Sequence, residues 1–291
     1  MSMHEALLQR YSTLYQSVDA SARCRMQSSL DLIHRIIDIF GIGQLCFSFN
    51  GGKDSTLVLH LIRIVLTQKW KQLQEKKSFT EIDNRESSIR HPATSCEMPT
   101  NNLTTEPLQS EMDPIGGILK QLPVLYFDSH DQFPQVRDFI ETCKSKYDLV
   151  CHVYKCSFVE GVRDMIEKYN TKAIFMGVRR GDPSTDELEH IAPSTMGWPP
   201  FLRINPILRW TYADVWSFIR HCEIDYCSLY DHGYTSLGNI YDTVENPSLW
   251  RHPADGDAQA SEKTEQVRGY YLPAYSLEDG SQERLGRQRH T

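Results

Sequence analysis

The residues best suited to chemistry lie in one short turn, Asn50-Gly51-Gly52-Lys53-Asp54-Ser55-Thr56, between the apolar run Leu45–Phe49 and an apolar stretch from Leu57 to Leu66. Gly51 and Gly52 admit backbone angles that bring N–H groups within reach of phosphate oxygens. Lys53 adds charge at the positive end of the helix that follows. The spacing reads as a phosphate cradle, or as a tight strand-to-helix turn carrying an incidental lysine. It is not a Walker A loop, because G-x-x-x-x-G-K-S/T needs a longer loop.

Other candidates are spread along the chain. Asp54 is placed to start a helix or to orient Lys53. Asp128, His130 and Asp131 follow a second apolar run, Leu122–Phe127, as strand-end carboxylates or as ordinary loop residues. Asp182 precedes Pro183, a common turn pair. Trp198 precedes two prolines and reads alone as simple packing. Arg179, Arg203, Arg284 and Arg287 suit bidentate phosphate contact, although the last two read equally as a solvated basic tail. The 11 histidines show no H-E-x-x-H spacing, and the 8 cysteines no C-x-x-C pair. Neither a zinc site nor a dithiol redox site has support, so the metal ligands stay unassigned and the cysteines read as reduced intracellular thiols.

Composition narrows the class. The 291 residues carry 31 Lys and Arg against 38 Asp and Glu, a net charge of −7, which excludes a generally basic nucleic-acid binder. No signal peptide opens the chain and no stretch reaches the roughly 20 apolar residues of a membrane helix. The expectation is a cytoplasmic protein with no nucleic-acid or membrane partner.

The elements that must position these residues alternate. Residues 1–43 read as an N-terminal helical segment, without Pro or Gly from Ala6 to Phe40 and ended by Gly41 and Gly43. Strands are expected at 45–49, 122–128, 149–154 and 172–178, with an edge strand at 201–205. Helices are expected from Leu57, over 133–145, over 158–169 with Ser157 as cap, and over 212–222. The alternation predicts an α/β fold, a Rossmann-like doubly wound and mostly parallel sheet. Ligands of such sheets bind at the carboxyl ends of the strands, where the glycine turn lies. Residues 69–117 are Lys-, Glu-, Ser- and Asn-rich and read as a mostly disordered insertion, with the polar helix running some way past Trp70. Residues 226–291 read as a loop-rich C-terminal region with a second polar insertion at 252–268. The whole chain reads as a single domain.

Ser48-Phe49-Asn50-Gly51-Gly52-Lys53-Asp54-Ser55 resembles the pyrophosphatase loop, S/T-x-G-G-K-D-S, of enzymes that cleave ATP between the α and β phosphates. Later elements narrow the resemblance. Gly177–Pro183 is similar to the G-x-R-x-x-D-P element of eukaryotic, fungal-type FAD synthases. Trp198–Pro206 is similar to their W-P-x-F-x-R-x-x-P element, and Tyr226–Gly238 to their Y-C-x-L-Y-x-x-G-Y-T-S-x-G signature. Tyr271–Tyr275 and Glu283–Arg287 match the end of the family. The chain is identified as a member of that family, within the adenine nucleotide alpha hydrolase superfamily that also holds the PAPS reductases.

The resemblance implies an FMN adenylyltransferase that uses ATP with Mg²⁺ and FMN and yields FAD, with client apo-flavoproteins as further partners. It implies that Ser48, Phe49, Asn50, Gly51, Gly52 and Lys53 line the ATP site, to which the strand-end reading adds Asp128. It implies that Asn50, Lys53, Asp54 and Arg287 serve catalysis, and that Asp182, Thr195, Trp198, Arg203, Arg284 and Arg287 hold the flavin or its phosphate. The family usually has Asp where Thr195 stands, three residues before the Trp; Thr keeps a hydroxyl but not the charge, which implies a weaker grip on flavin. Two alternatives are a PAPS-reductase-like oxidoreductase and a non-catalytic flavin- or nucleotide-binding protein. The reductases depend on a C-terminal cysteine, usually in E-C-G-x-H, and no cysteine follows Cys227.

Overall fold

The computed structural model describes residues 1–89, 113–183, 185, 187–252 and 269–288, with the side chains of 79–89 left aside. Helix α1 (Met3–Ser17) opens with a capping box between Ser2 and Glu5, and α2 (Ala20–Phe40) ends at Gly41, whose φ is +69°. The stretch from Ala6 to Phe40, expected as one helix, is thus two. Its break has a local cause: Asp19 adopts an extended backbone and its carboxylate accepts from the N–H groups of Ser21 and Ala22, which starts a new helix.

The sheet is built from β1 (Leu45–Ser48), β2 (Val124–Phe127), β3 (Cys151–Tyr154), β4 (Ala173–Phe175), β5 (Ile191–Pro193) and β6 (Leu202–Ile204), in the order β3-β2-β1-β4-β6-β5. All neighbours are parallel except β5, which runs antiparallel to β6. This agrees with the expected doubly wound sheet and corrects one detail. The strand within 201–205 is not an edge, because the three residues of β5 cover it. A three-residue run ending in Pro carries almost no strand signal, and an edge is where a sheet tolerates Pro.

Alternation along the strands decides what each face buries. Leu45, Phe47, Val124, Ala173 and Phe175 face the larger core, with α3 (Lys53–Ile89), α5 (Pro134–Lys146) and α7 (Tyr212–His221). Cys46, Leu125 and Ile174 face the smaller one, with Val162 and Met165 of α6 (Phe158–Tyr169). Cover on both faces explains why these strands are apolar throughout.

Within 69–117 the polar helix runs past Trp70, as expected, and the far end of the stretch is helical too. Helix α3 continues to Ile89, and α4 (Pro114–Leu119) returns with Asp113 as cap and with Ile115 and Leu119 buried. Residues 90–112 lie outside the described residues, as do 253–268 of the second polar stretch. Beyond α7 the chain is irregular, with short 3₁₀ turns and the two-residue pair β7 (Trp250–Arg251) and β8 (Tyr270–Tyr271). Among the described residues no helix is long and apolar enough to cross a membrane.

Candidate active site

The glycine turn sits between the end of β1 and the start of α3, at the carboxyl edge of the sheet. Gly51 has φ +71°, and a Cβ there would lie 3.0 Å from Val136 and 3.1 Å from Ile140, so both backbone angle and space call for glycine. Asn50 Oδ1 closes the turn, accepting from the Gly52 N–H at 3.0 Å and the Ser55 hydroxyl at 2.7 Å. The Lys53 N–H donates to the hydroxyl of Tyr230, a fully buried side chain, at 2.9 Å. Gly177, just past β4, presses on the first turn of α3; a Cβ on it would sit 2.6 Å from the Ser55 nitrogen.

The charges beside this turn form a closed ring of alternating sign. Lys53 Nζ donates to Asp54 Oδ2 at 3.0 Å and to Glu283 Oε1. Arg179 donates to Asp54 Oδ1 at 2.6 Å and to both Glu283 oxygens, at 2.7 and 2.5 Å. Every cation has two carboxylates and every carboxylate two cations; Lys53, Arg179 and Glu283 are buried and Asp54 is partly exposed. Burial alone would make the Lys53 ammonium easier to deprotonate, but Asp54 and Glu283 outweigh it and hold its pKa above the ordinary value. Burial pushes the Asp54 carboxyl upward, and Lys53 and Arg179 reverse that and keep it below the usual range. Asp182, which accepts the Arg179 N–H at 2.9 Å, goes the other way: burial raises its pKa, assisted by Asp54 and Glu283.

Above the ring opens a cavity of about 340 Å³ whose lining includes Asn50, Gly52, Lys53, Asp54, Asp182 and Arg284, together with Phe127, Ser129 and Tyr230. A second cavity of about 790 Å³ shares Asp182, Glu283 and Arg284 with it and has Arg179 on its own side. Glu283 therefore stands between the two.

The structure brings some of the expected residues together and leaves others apart. Asn50, Gly52, Lys53, Asp54, Asp182 and Arg284 meet at the first cavity, although the Lys53 ammonium is turned into the ion ring. Ser48 ends β1 below the turn, and Phe49 is a core residue, 1% exposed and packed against Phe47 and Phe139. Gly51 turns toward α5. Asp128 is held by Arg137 at 2.8 Å and does not line the cavity, whereas its neighbours Phe127 and Ser129 do. The Phe49 side chain packs the core and the Asp128 carboxylate braces the start of α5.

Thr195, Trp198 and Arg203 form a cluster of their own. The Arg203 guanidinium lies 5.0 Å from the Trp198 ring and donates to the Thr195 hydroxyl, while Trp198 packs on Phe158 at 5.1 Å. None of the three lines either cavity. Arg287 sits behind the rim, paired with Asp242 at 3.0 Å and so close to Gly238 that a Cβ there would meet the guanidinium at 2.0 Å.

Sequence reasoning missed Glu283 and Tyr230. Both lie inside motifs, but nothing in their spacing says that a carboxylate near the chain's end pairs with a lysine at position 53, or that Tyr230 receives that lysine's N–H. The terminal segment is fixed by buried polar side chains. The Thr235 hydroxyl donates to the Glu283 carbonyl at 2.6 Å, and Asn246 Nδ2 donates to the Thr235 hydroxyl and the Gln282 carbonyl, each at 2.8 Å. Cys227 is fully buried, and burial pushes its thiol up to about 11.

The chain is similar to known proteins in sequence and in fold. The family model of the phosphoadenosine phosphosulfate reductase domain matches residues 44–159 and 155–245. The chain is 30% identical over 264 residues to a probable FAD synthase of Schizosaccharomyces pombe, covering 90% of this chain and 78% of the relative. It is 28% identical over 265 residues to a probable FAD synthase of Caenorhabditis elegans, of which it spans 40%. In fold it is similar to the crystal structure of Candida glabrata FMN adenylyltransferase in complex with FAD and inorganic pyrophosphate, with a TM-score of 0.73, 24% identity, and 99% of this chain and 97% of that one covered.

Proposed function

The chain belongs to the FAD synthase family, built on the phosphoadenosine phosphosulfate reductase domain, and from that premise we propose that it transfers AMP from MgATP to the phosphate of FMN, giving FAD and pyrophosphate. It is a nucleotidyltransferase. A terminal phosphate oxygen of FMN attacks the α-phosphorus in line, a new P–O bond forms, and the bond to the bridging α–β oxygen breaks with its electron pair leaving on pyrophosphate. The attacking oxygen is already anionic near neutral pH, since the second pKa of a phosphate monoester is about 6. The protein's task is therefore placement and charge neutralisation rather than proton removal.

In this reading the Gly52 region and Asn50 receive the triphosphate at the start of α3, and Lys53 faces it from the ion ring. Asp54 orients Lys53 and Arg179. Asp182 serves the flavin side of the cavity, with the Thr195, Trp198 and Arg203 cluster next to β6 as the ring-binding flank. Arg284 meets the FMN phosphate, and Arg287 supports it from the rim. The carboxylates nearest the turn, Asp54 and Glu283, are both taken up by Lys53 and Arg179; a Mg²⁺ bound with the nucleotide would neutralise charge on its phosphates. We place the protein in the cytoplasm on the reduced-thiol reading of its cysteines, with apo-flavoproteins as recipients of the product.

The observation that carries the proposal is that the nucleotide turn and Arg284 open on one cavity although they lie at opposite ends of the chain. A reductase reading has no such support, since the thiol of Cys227 is buried and its pKa is raised. Incubation with FMN, MgATP and inorganic pyrophosphatase is expected to form FAD; bound flavin without turnover would refute the catalytic reading.

A further inference from the structure

Glu283 holds the nucleotide turn and the C-terminal segment together. Its side chain reaches Lys53, 230 positions earlier, and Arg179, 104 positions earlier. Its backbone carbonyl is held by the Thr235 hydroxyl, so the residue is fixed at both ends. The next residue is Arg284, which lines both cavities and has no carboxylate partner among the described residues. Any shift of Glu283 moves the point from which the Arg284 side chain departs.

We infer that Glu283 is a positioning residue: by binding Lys53 and Arg179 it clasps the terminal segment onto the nucleotide turn and so sets where Arg284 meets the acceptor phosphate. The inference rests on the adenylyl-transfer reading above. Glu283 acts through other groups, because both of its oxygens are occupied by Arg179 and one also by Lys53. The nucleotide turn keeps its own fastenings when the clasp is lost, through the Asn50 side chain and the Tyr230 hydroxyl. Loosening the clasp should therefore weaken the acceptor's grip much more than the nucleotide's.

The test uses the full chain and separates the two ligands. In Glu283→Gln the KM for FMN is expected to rise at least tenfold, while the dissociation constant of a non-hydrolysable ATP analogue with Mg²⁺ changes less than threefold. Glu283→Asp, which keeps the charge, should recover part of the loss. Thr235→Ala frees the same carbonyl without touching the ion ring and should raise the FMN KM three- to tenfold; it decides the matter alone if Glu283→Gln does not fold. Equal weakening of both ligands, or an FMN KM within twofold of the parent in folded protein, would overturn the inference. Absence of FAD formation by the unsubstituted chain would instead defeat the reading on which it rests.

Discussion

Replacing Arg179 with Met tests whether the ion ring is held by charge balance. Arg179 is 4% exposed and donates to Asp54 at 2.6 Å and to Glu283 at 2.7 and 2.5 Å. Met fills much of the same volume but leaves two carboxylates, Glu283 buried and Asp54 partly so, facing the single ammonium of Lys53. Breaking a buried pair by removing one partner destabilises by ~3–5 kcal/mol, because the remaining charge stays out of water. For a chain of this size that corresponds to a melting temperature lower by roughly 6–20 °C. The effect should depend on pH with a definite sign. In the parent, Asp54 has a folded pKa below its ordinary 3.8, so its contribution is present above that value and is lost as pH falls through the folded one. Without Arg179, the upward push of burial on Asp54 is opposed mainly by Lys53, and its folded pKa rises. Protonation then relieves the unbalanced charge, so the stability gap between parent and variant should be widest near pH 7.5 and narrower near pH 5. Urea unfolding at the two pH values measures it, and a gap that stays constant or widens toward pH 5 would refute charge balance as the cause.

Gly177→Ala would put a methyl carbon 2.6 Å from the Ser55 nitrogen and 2.8 Å from the Asp54 carbonyl carbon, both backbone atoms that cannot rotate away. The end of β4 and the start of α3 must separate, so adenylyl transfer should fall by about 10²-fold with ~1–3 kcal/mol of lost stability; near-parent turnover in a kinetic assay would contradict the contact. Asn246→Ala removes the buried amide that donates to Thr235 and Gln282, and chemical denaturation should show a loss of ~1–3 kcal/mol. Thr195→Asp gives the Arg203 guanidinium a carboxylate in place of a hydroxyl and should tighten FMN binding two- to fivefold by flavin-fluorescence titration; unchanged or weaker binding would count against a flavin role for this cluster.

What could be read from the sequence was what local physics decides. The parallel sheet follows from strands apolar on both faces, and the glycine turn from a positive φ at Gly51 with no room for a side chain. Helix caps at Ser157 and Thr211 are also local signals, and both are present. The break at Asp19 was legible in principle, since Asp at a helix start competes for backbone N–H groups, but a run free of Gly and Pro hides it. The ion ring was not legible, because it joins Lys53, Asp54, Arg179 and Glu283 from three distant segments, and spacing carries no information about such pairings. Nor were the contacts of the Phe49 and Asp128 side chains legible. A motif gives the order of residues, but the pleat of β1 sends Phe49 into the core, and Arg137 on α5 takes the carboxylate of Asp128.

A neutral ring beside the proposed phosphate site has a physical consequence. Two cations and two carboxylates at hydrogen-bond distance cancel one another within a few ångströms, so the ring supplies little field to an anion still in solvent. The chain as a whole carries −7 and cannot attract a nucleotide from afar either. Attraction must then come from a group that faces the cavity without a counter-charge, and Arg284 is such a group. What the ring supplies is geometry: its four charges are fixed by one another before any ligand arrives, so little reorganisation remains when phosphates enter beside them. A free lysine and a free arginine would attract anions more strongly but would have to be ordered at the moment of binding, at a cost of about 2 kcal/mol of rotamer entropy each. The ring trades affinity for a site already in place, which suits a reaction whose catalysis lies in alignment.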